Sequence, residues 1–298
     1  MVAGLSRKGL VFGFGAYLIW GFFPLYFKAL SSVPAPQILA HRFVWSFLLL
    51  SLILRWRKEW KELVKLLRDA KVLALYAVAG GLLALNWGIF VWAVGAGYVV
   101  ESSLGYFINP LVNVVLGVFL LREKLRWSQW LPIGIATVGV LYLSFQYRSF
   151  PWIALMLALT FGFYGLVKKI APLSSLHGLT LETMVLFLPA FLYLSLQERM
   201  GYGRFGHESV EVNVLLMLTG VVTVIPLLMF GIAARLIPLW TMGLLQYIAP
   251  TCQFLLGVLV FHEPFSGEQL IGFSLIWLAL LIFSTERWWF RRVAQLAH

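Results

Sequence analysis

The sequence predicts an all-α integral membrane protein, with ten transmembrane helices in a five-plus-five inverted repeat and both termini cytoplasmic. Three observations support this fold class. Hydrophobic residues make up 61% of the 298 residues and charged residues only 12%, whereas soluble domains average roughly 45–50% apolar and about 25% charged residues. Apolar segments of membrane-spanning length recur along the whole chain. The two halves of the chain also match each other.

The membrane-spanning segments follow from length and hydropathy. Crossing about 30 Å of hydrocarbon takes roughly 20 mostly apolar residues in a helix. The predicted spans are residues 9–27, 36–54, 72–95, 102–121, 128–145, 151–167, 179–197, 212–234, 238–261 and 269–285. Spans three and four, and spans eight and nine, lie close together, and we divide them at residues 95–101 and at Arg235.

Basic residues predict the orientation of these spans through the positive-inside rule. Most of the 23 Lys and Arg residues lie at the amino terminus, in the loops after spans 2, 4, 6 and 8, and in the carboxyl-terminal tail. Lys168 and Lys169 are counted in the loop after span 6. The opposite loops hold Lys28, Arg148, Arg199 and Arg204. This asymmetry places both termini in the cytoplasm and accounts for the net charge of +11 without a nucleic-acid partner.

The longest polar stretch, residues 55–71, follows span 2 on the predicted cytoplasmic side. Trp56, Trp60, Leu63 and Leu67 recur in it at helical spacing, with Lys and Arg residues between them. Such a pattern is typical of an amphipathic helix that lies on the inner leaflet. An ordinary basic loop that fixes orientation is the alternative.

A shift of 140 residues aligns the two halves of the chain. It matches Pro110 with Pro250 and Glu123 with Glu263. The same shift also matches Gly80 with Gly220, Ile108 with Ile248 and Gln129 with Gln269. We therefore expect two five-helix repeats, 1–147 and 148–298, of which the second enters the membrane in the opposite sense because five is odd. Secondary transporters have this architecture, with the substrate site between the repeats; an old duplication that merely builds a stable bundle is the alternative.

Ionisable residues inside predicted spans mark candidate functional positions, since each costs on the order of 2.5–3.5 kcal/mol to insert. Span 2 contains His41 and Arg42, and span 7 contains Glu182. Aligning the halves places His41–Arg42 on Glu182–Thr183, so opposite charges occupy equivalent positions of the repeats. Arg42 lies toward the outer end of its span and Glu182 toward the inner end of its own, so we do not expect a direct salt bridge. A substrate carrying both charges, or a gate on each side, fits this arrangement.

Polar residues in spans 4 and 9 form a second set of candidates. Tyr106, Asn109 and Asn113 fall at i, i+3 and i+7 on one helical face, and Gln246 and Gln253 occupy matching positions in span 9. We expect these residues to line a cavity, although polar residues also join helices in membranes. The other candidates are Asn86 and Trp87 in span 3, and Pro110 and Pro250, which should kink spans 4 and 9.

Several kinds of chemistry are not supported by the sequence. Cys252 is the one cysteine, which argues against a cysteine-based metal site and an intramolecular disulfide. No phosphate-binding P-loop, zinc-protease motif or nucleophile-elbow motif occurs. We therefore expect neither an enzyme nor a bound cofactor or metal.

Several stretches also resemble a known family. They are Trp20-Gly21-x-x-Pro24, His41-Arg42-x-x-Trp45-Ser46, Asn86-Trp87, Glu101-x-Ser103-Leu104-Gly105-Tyr106-Phe107-Ile108-Asn109-Pro110, Glu182-Thr183-Met184, Gln246-Tyr247-Ile248-x-Pro250 and Phe261-x-Glu263. The chain resembles the drug/metabolite transporter superfamily, in the EamA branch, and most closely the RarD-type permeases. This resemblance implies two EamA-type repeats, a multi-pass location in the bacterial cell inner membrane and transport by alternating access.

The predicted function is secondary transport of a small amphipathic metabolite, an amino acid or a related compound. Arg42, with His41, would meet a carboxylate, and Glu182 would meet an amine or a proton. Either His41 or Glu182 could carry coupled protons. A multidrug or chloramphenicol permease with a looser apolar pocket is one alternative, and a non-transporting membrane scaffold or sensor is another. Because one chain contains both repeats, we expect a monomer or a weak homodimer.

Overall fold

The computed structural model describes residues 6–96, 98–145, 151–262 and 267–296. Within these ranges the regular structure is entirely helical, and no strand occurs. In chain order the helices are α1 (Arg7–Gly21), α2 (Phe23–Ala29), α3 (Ala35–Trp56), α4 (Trp60–Leu66), α5 (Ala70–Gly95), α6 (Val99–Val115) with a π-helical turn (Leu116–Leu120), α7 (Trp127–Phe145), α8 (Trp152–Ile170), α9 (Ser175–Arg199), α10 (Val210–Leu236), α11 (Leu239–Gln246), α12 (Ile248–Leu259) and α13 (Gly267–Leu296).

Each predicted span corresponds to one helix or to a consecutive pair. Eight of these, counted over the described ranges, are long and apolar enough to cross a membrane, and Leu104–Leu120 and Leu270–Phe283 are shorter apolar helices. The described part of the chain is therefore all-helical, with the apolar helices of an integral membrane protein. Ten spans and cytoplasmic termini stay predictions. The predicted junction of the repeats, at residue 147, lies outside the described residues.

Helix formation is what the hydrocarbon requires, because only helices satisfy every backbone polar group of a single segment internally. Serine side chains cap three of the helix starts. The hydroxyl oxygens of Ser6, Ser174 and Ser209 each accept a hydrogen bond, 3.3 Å long, from a backbone N–H of the first turn of α1, α9 and α10. These bonds satisfy N–H groups that have no partner within the helix.

The polar stretch 55–71 does contain a helix, α4, which is seven residues long. Its Leu63 is 1% exposed and packs with Leu54 and Tyr76. The apolar face of α4 thus packs against the ends of α3 and α5. Its location on the inner leaflet stays a prediction.

The helices of the first half pack mainly on helices of the second half. Helix α1 contacts α10 and α12, α3 contacts α9 and α10, and α5 contacts α8 and α9. Helix α6 contacts α8 and α11, and α7 contacts α13. The largest apolar cluster, which includes Tyr17, Tyr164 and Phe230, lies at this junction. The core of the bundle therefore lies between the two halves of the chain.

Two glycines allow helices from opposite halves to approach closely. A Cβ atom built on Gly80 of α5 would lie 3.0 Å from the carbonyl oxygen of Glu182 on α9. One built on Gly220 of α10 would lie 2.6 Å from the carbonyl carbon of Trp45 on α3. The two glycines are 140 residues apart, so equivalent positions make reciprocal contacts across the bundle.

The two prolines expected to kink helices differ in position: Pro250 follows a break between two helices, whereas Pro110 lies within one helix. Pro250 is in the first turn of α12, and α11 ends four residues before it, at Gln246. A proline cannot donate to the carbonyl four residues earlier, which explains the interruption between α11 and α12. Pro110 lies inside α6, which continues to Val115 and then widens into the π-helical turn.

Substituting Gly220 tests the close contact between α10 and α3. Gly220→Ala is expected to lower the free energy of unfolding by about 1–3 kcal/mol, because the added methyl would overlap the backbone of Trp45. Unfolding by SDS in mixed micelles measures this change. Gly81→Ala is the matched control, since its methyl meets no atom within 4 Å. Equal stability of the two variants would contradict the contact.

Candidate functional site

Arg42 projects from the second turn of α3 into a setting of aromatic rings. Its Nε donates a 3.0 Å hydrogen bond to Thr223 Oγ1 of α10, and its Cζ lies 3.6 Å from the ring centroid of Trp87 on α5. The rings of Phe23 and Phe27 are 5.7 and 5.5 Å away. No described carboxylate forms an ion pair with this partly buried guanidinium. Its terminal N–H groups thus remain available to an anionic ligand.

Tyr106 also belongs to the Arg42 site, whereas the His41 ring packs on the α9–α10 loop. Tyr106 lies within electrostatic range of Arg42, and its ring is 5.7 Å from that of Phe90. His41 is 4% exposed, its Nδ1 accepts a 3.2 Å hydrogen bond from Trp45 Nε1, and its Nε2 is buried without a described partner. The imidazole packs on Phe205 of the α9–α10 loop. His41 therefore contacts the end of the bundle, beside the Arg42 site.

Glu182 forms a buried ion pair that the sequence analysis did not foresee. Lys168 Nζ lies 2.8 Å from one carboxylate oxygen, and the Tyr164 hydroxyl donates a 3.0 Å bond to the other. Glu182 is 0% and Lys168 4% exposed. Assigning Lys168 to a loop was wrong, because α8 continues to Ile170 and buries this lysine in its last turn. Among the described residues, the cationic partner of Glu182 is Lys168 and not Arg42.

One series of hydrogen-bonded side chains links the two halves and consists of Asn109, Asn113 and Gln246. Asn113 Nδ2 donates to Asn109 Oδ1 at 3.2 Å and to Gln246 Oε1 at 3.0 Å. Asn109 Nδ2 donates to the Ala158 carbonyl of α8 at 2.5 Å. All three side chains are buried, and Asn113 Oδ1 has no described partner. These hydrogen bonds join α6 to α8 and α11, so the three residues connect helices in this conformation.

Asn86 and Gln253 also bond to neighbouring helices. Asn86 Nδ2 donates to the Leu157 carbonyl at 2.8 Å and to Thr160 Oγ1 at 2.9 Å, both on α8. Gln253 Nε2 donates to the Trp20 carbonyl of α1 at 3.1 Å. The structure thus divides the predicted residues into the Arg42 site, with Trp87 and Tyr106, where the guanidinium has no described carboxylate partner, and a set of residues that hydrogen-bond to neighbouring helices.

A network at the ends of three helices was also missed. The carboxylate of Glu123 accepts bonds of 2.8 and 3.2 Å from the backbone N–H groups of Leu239 and Trp240, at the start of α11. Lys169 Nζ lies 3.4 Å from Glu123 and donates a 2.7 Å bond to the Ile237 carbonyl. One acidic and one basic side chain therefore tie together the ends of α8, α10 and α11 and the segment after α6.

The residues that sequence reasoning missed had weak signals. Lys168 follows Tyr164 by four residues, on the same face of a long apolar helix, and Glu182 needed a buried partner. Thr223 lies among apolar residues of α10 without any pattern that would single it out. Which of several nearby helices supplies a partner depends on packing between the halves.

Comparison with known proteins identifies close relatives. Residues 7–145 match the model of the EamA-like transporter family. Protein RarD of Streptomyces exfoliatus is 47% identical over 94% of this chain and 89% of its own length. The uncharacterized transporter YojE of Bacillus subtilis is 43% identical over 97% of this chain and 98% of its own length. One solved crystal structure, 18% identical, has the same fold, with a TM-score of 0.69 over 93% of this chain and 97% of that one.

Removing Lys168 should reveal the energetic coupling of the buried pair. Lys168→Met is expected to lower the free energy of unfolding by about 3–5 kcal/mol, because it leaves the Glu182 carboxylate buried and uncompensated. Adding Glu182→Gln should restore most of that loss, and a double-mutant cycle measures the coupling.

The exposed Arg57–Glu59 pair supplies the control for this cycle. Its side chains are 55% and 23% exposed, so Arg57→Met should cost less than about 1 kcal/mol. A Lys168→Met variant as stable as the wild type would contradict the buried ion pair.

Proposed function

This chain belongs to the EamA-like transporter family, and we propose that it is a secondary transporter of a small amphipathic metabolite, an amino acid or a related compound, in the bacterial inner membrane. Its family and its relatives are named as transporters rather than enzymes. The chain is thus a multi-pass membrane permease. Substrate class, alternating access and residue roles are the content of the proposal.

The observation that carries the proposal is the unpaired guanidinium of Arg42. Counting 1.5 Å per residue from the start of α3, it lies roughly 10 Å along the helix axis. A cation at this depth is costly unless it meets a partner or a water-filled cavity. A carboxylate suits it, since a guanidinium can bind both carboxylate oxygens at once. Trp87 and Phe27 would contact the apolar part of the same ligand.

Glu182 is the proposed second charge of the transport cycle. In this conformation Lys168 occupies the place where a substrate amine would bind, at 2.8 Å from the carboxylate. An amine or a proton that replaces Lys168 at Glu182 would supply coupling in another conformation. His41, with its buried and unpartnered Nε2, is the other group proposed to carry protons.

Alternating access is supported by the way the halves pack. Helices α3 and α9, at matching positions of the proposed repeats 1–147 and 148–298, contact each other. Gly80 and Gly220 make reciprocal close contacts across the junction. The Glu123–Lys169 network holds one end of the bundle together and would have to open in the opposite state. Since both repeats lie in one chain, we propose a monomer or a weak homodimer as the working unit.

Counterflow into proteoliposomes tests the proposed substrate class. Vesicles are preloaded with a pool of amino acids and related metabolites, and chloramphenicol is assayed separately. Arg42→Ala is expected to lower the initial uptake rate of one carboxylate-bearing compound roughly tenfold or more, because a charged hydrogen bond contributes about 1.5–3 kcal/mol. Arg42→Lys, which keeps the charge but not the planar fork, should fall in between.

Arg199→Ala is the matched control, because Arg199 is exposed at the end of α9. Its uptake should equal that of the wild type. Uptake of chloramphenicol alone, unaffected by Arg42→Ala, would replace the proposal with a multidrug permease that uses the aromatic walls. No counterflow of any compound by folded protein would favour a scaffold or sensor.

Cysteine labelling tests the proposed orientation. In a Cys252→Ala background, Lys61→Cys and Arg204→Cys place single thiols at opposite ends of the bundle, near α4 and in the α9–α10 loop. With cytoplasmic termini, an impermeant maleimide added to intact cells should label Arg204→Cys only. Labelling of Lys61→Cys alone would reverse the orientation, and permeabilised cells, in which both should react, control for accessibility.

A further inference from the structure

A groove of about 850 Å³ runs along α3, α5 and α9 on the outside of the bundle. Small residues from all three helices form its floor, including Ala40, Ala84, Gly88 and Ala190. Leu188 and Leu192, beside it on α9, are 60% and 52% exposed. In a membrane-spanning helix such exposed apolar residues face lipid, so the groove opens to the hydrocarbon.

The groove begins at a membrane interface and leads inward. Along α3 it extends from Ala35 to Phe43, roughly 12 Å at 1.5 Å per residue. At its upper end, Trp92 packs against Tyr98 and Trp152, with ring centroids 5.9 and 5.7 Å away. Tryptophan and tyrosine gather where hydrocarbon meets headgroups. The groove therefore runs in the direction expected for an acyl chain that extends from the headgroup level into the hydrocarbon.

A polar pocket of about 630 Å³ adjoins the upper end, and Tyr193 lines both spaces. Glu198, Arg204 and His207 supply its ionisable groups. Its floor is Gln37, 2% exposed, whose Nε2 donates to the Tyr202 carbonyl at 2.7 Å and whose Oε1 accepts from the Arg204 N–H at 3.1 Å. The α9–α10 loop is thus held in a definite shape around the pocket.

We propose that groove and pocket together bind one zwitterionic phospholipid whose headgroup carries a primary amine. An acyl chain would lie in the groove. The phosphate would bind the guanidinium of Arg204, a donor suited to phosphate, and the ammonium would bind Glu198. Glu198 now contacts His207 at 2.8 Å, but the two side chains are 56% and 62% exposed, so this contact can rearrange at little cost.

Charge and continuity favour this lipid over other occupants. A headgroup with anionic charge only would supply no cation for Glu198, which lines the pocket, and a quaternary ammonium has no N–H to donate to that carboxylate. The site is also separate from the Arg42 site, because the stacked rings of Phe43 and Trp87 lie between them. An acyl chain bound in the groove would pack on the outer face of the Phe43–Trp87 ring pair.

Filling the groove tests the proposal. Gly88 lines the groove, and a Cβ built on it meets no atom within 4 Å, so Gly88→Leu is the substitution chosen to fill the groove. Gly134→Leu on α7 is the matched control, with the same open space and no part in the groove. Each variant is purified, checked for helicity and monodispersity, delipidated and titrated with phosphatidylethanolamine, phosphatidylcholine or phosphatidylglycerol. Native mass spectrometry then counts the bound lipids.

The expected result is one tightly retained phosphatidylethanolamine per chain in the wild type and in Gly134→Leu, absent from Gly88→Leu. Arg204→Gln should weaken its binding roughly tenfold, as loss of a charged hydrogen bond predicts. Undiminished retention by Gly88→Leu would overturn the site. Equal retention of the three lipids by the wild type, or displacement of the lipid by a soluble metabolite, would also overturn the proposal.

Discussion

Hydrocarbon solvates neither backbone polar groups nor charges, and the organisation of this bundle follows from that constraint. Buried polar side chains gather where the two halves meet and bond to each other or to a neighbouring backbone. Glu182 with Lys168 and the Asn109–Asn113–Gln246 chain are the main examples. Arg42 is partly buried in the same junction without an anionic partner among the described residues, and it is where the proposed ligand binds.

The two halves share backbone contacts but differ in chemistry at equivalent positions. The 140-residue shift aligns Arg42 with Glu182 and Lys28 with Lys168. Lys168 pairs with Glu182, whereas Lys28 lies 3.8 Å from the ring of Phe261. A lysine cannot neutralise an arginine, so the exchange of carboxylate for guanidinium leaves Arg42 without an anionic partner among the described residues, whereas Glu182 has a cationic one. Under the proposed function, this asymmetry would let one repeat receive a substrate charge while the other holds an ion pair that a substrate can replace.

The ends of the bundle are held by polar contacts, and its sides by apolar ones. At one end, Glu123 and Lys169 join α8, α10 and α11. At the other, Gln37 holds the loop that carries Arg204. Between these ends, glycine contacts bring helices of opposite halves together, and the stacked rings of Phe43 and Trp87 separate the Arg42 site from the lipid-facing groove. Polar contacts at the ends can exchange for water, as the proposed alternating access would require.

The sequence alone determined the helical membrane architecture and the helical segments, and it marked Arg42, Glu182 and Asn113 as costly polar residues within spans, because apolar length and the cost of buried polar groups are local properties. The roles of these residues in transport stay predictions. Only the tertiary structure decided the partners. Lys168 was assigned to a loop because an apolar run ended before it, yet α8 continues and buries it against Glu182. The role of Thr223 at Arg42 and the groove beside Gly88 likewise arise from packing between helices far apart in the chain. Contacts between helices that are far apart in the chain leave no periodic pattern in the sequence of the helices that make them.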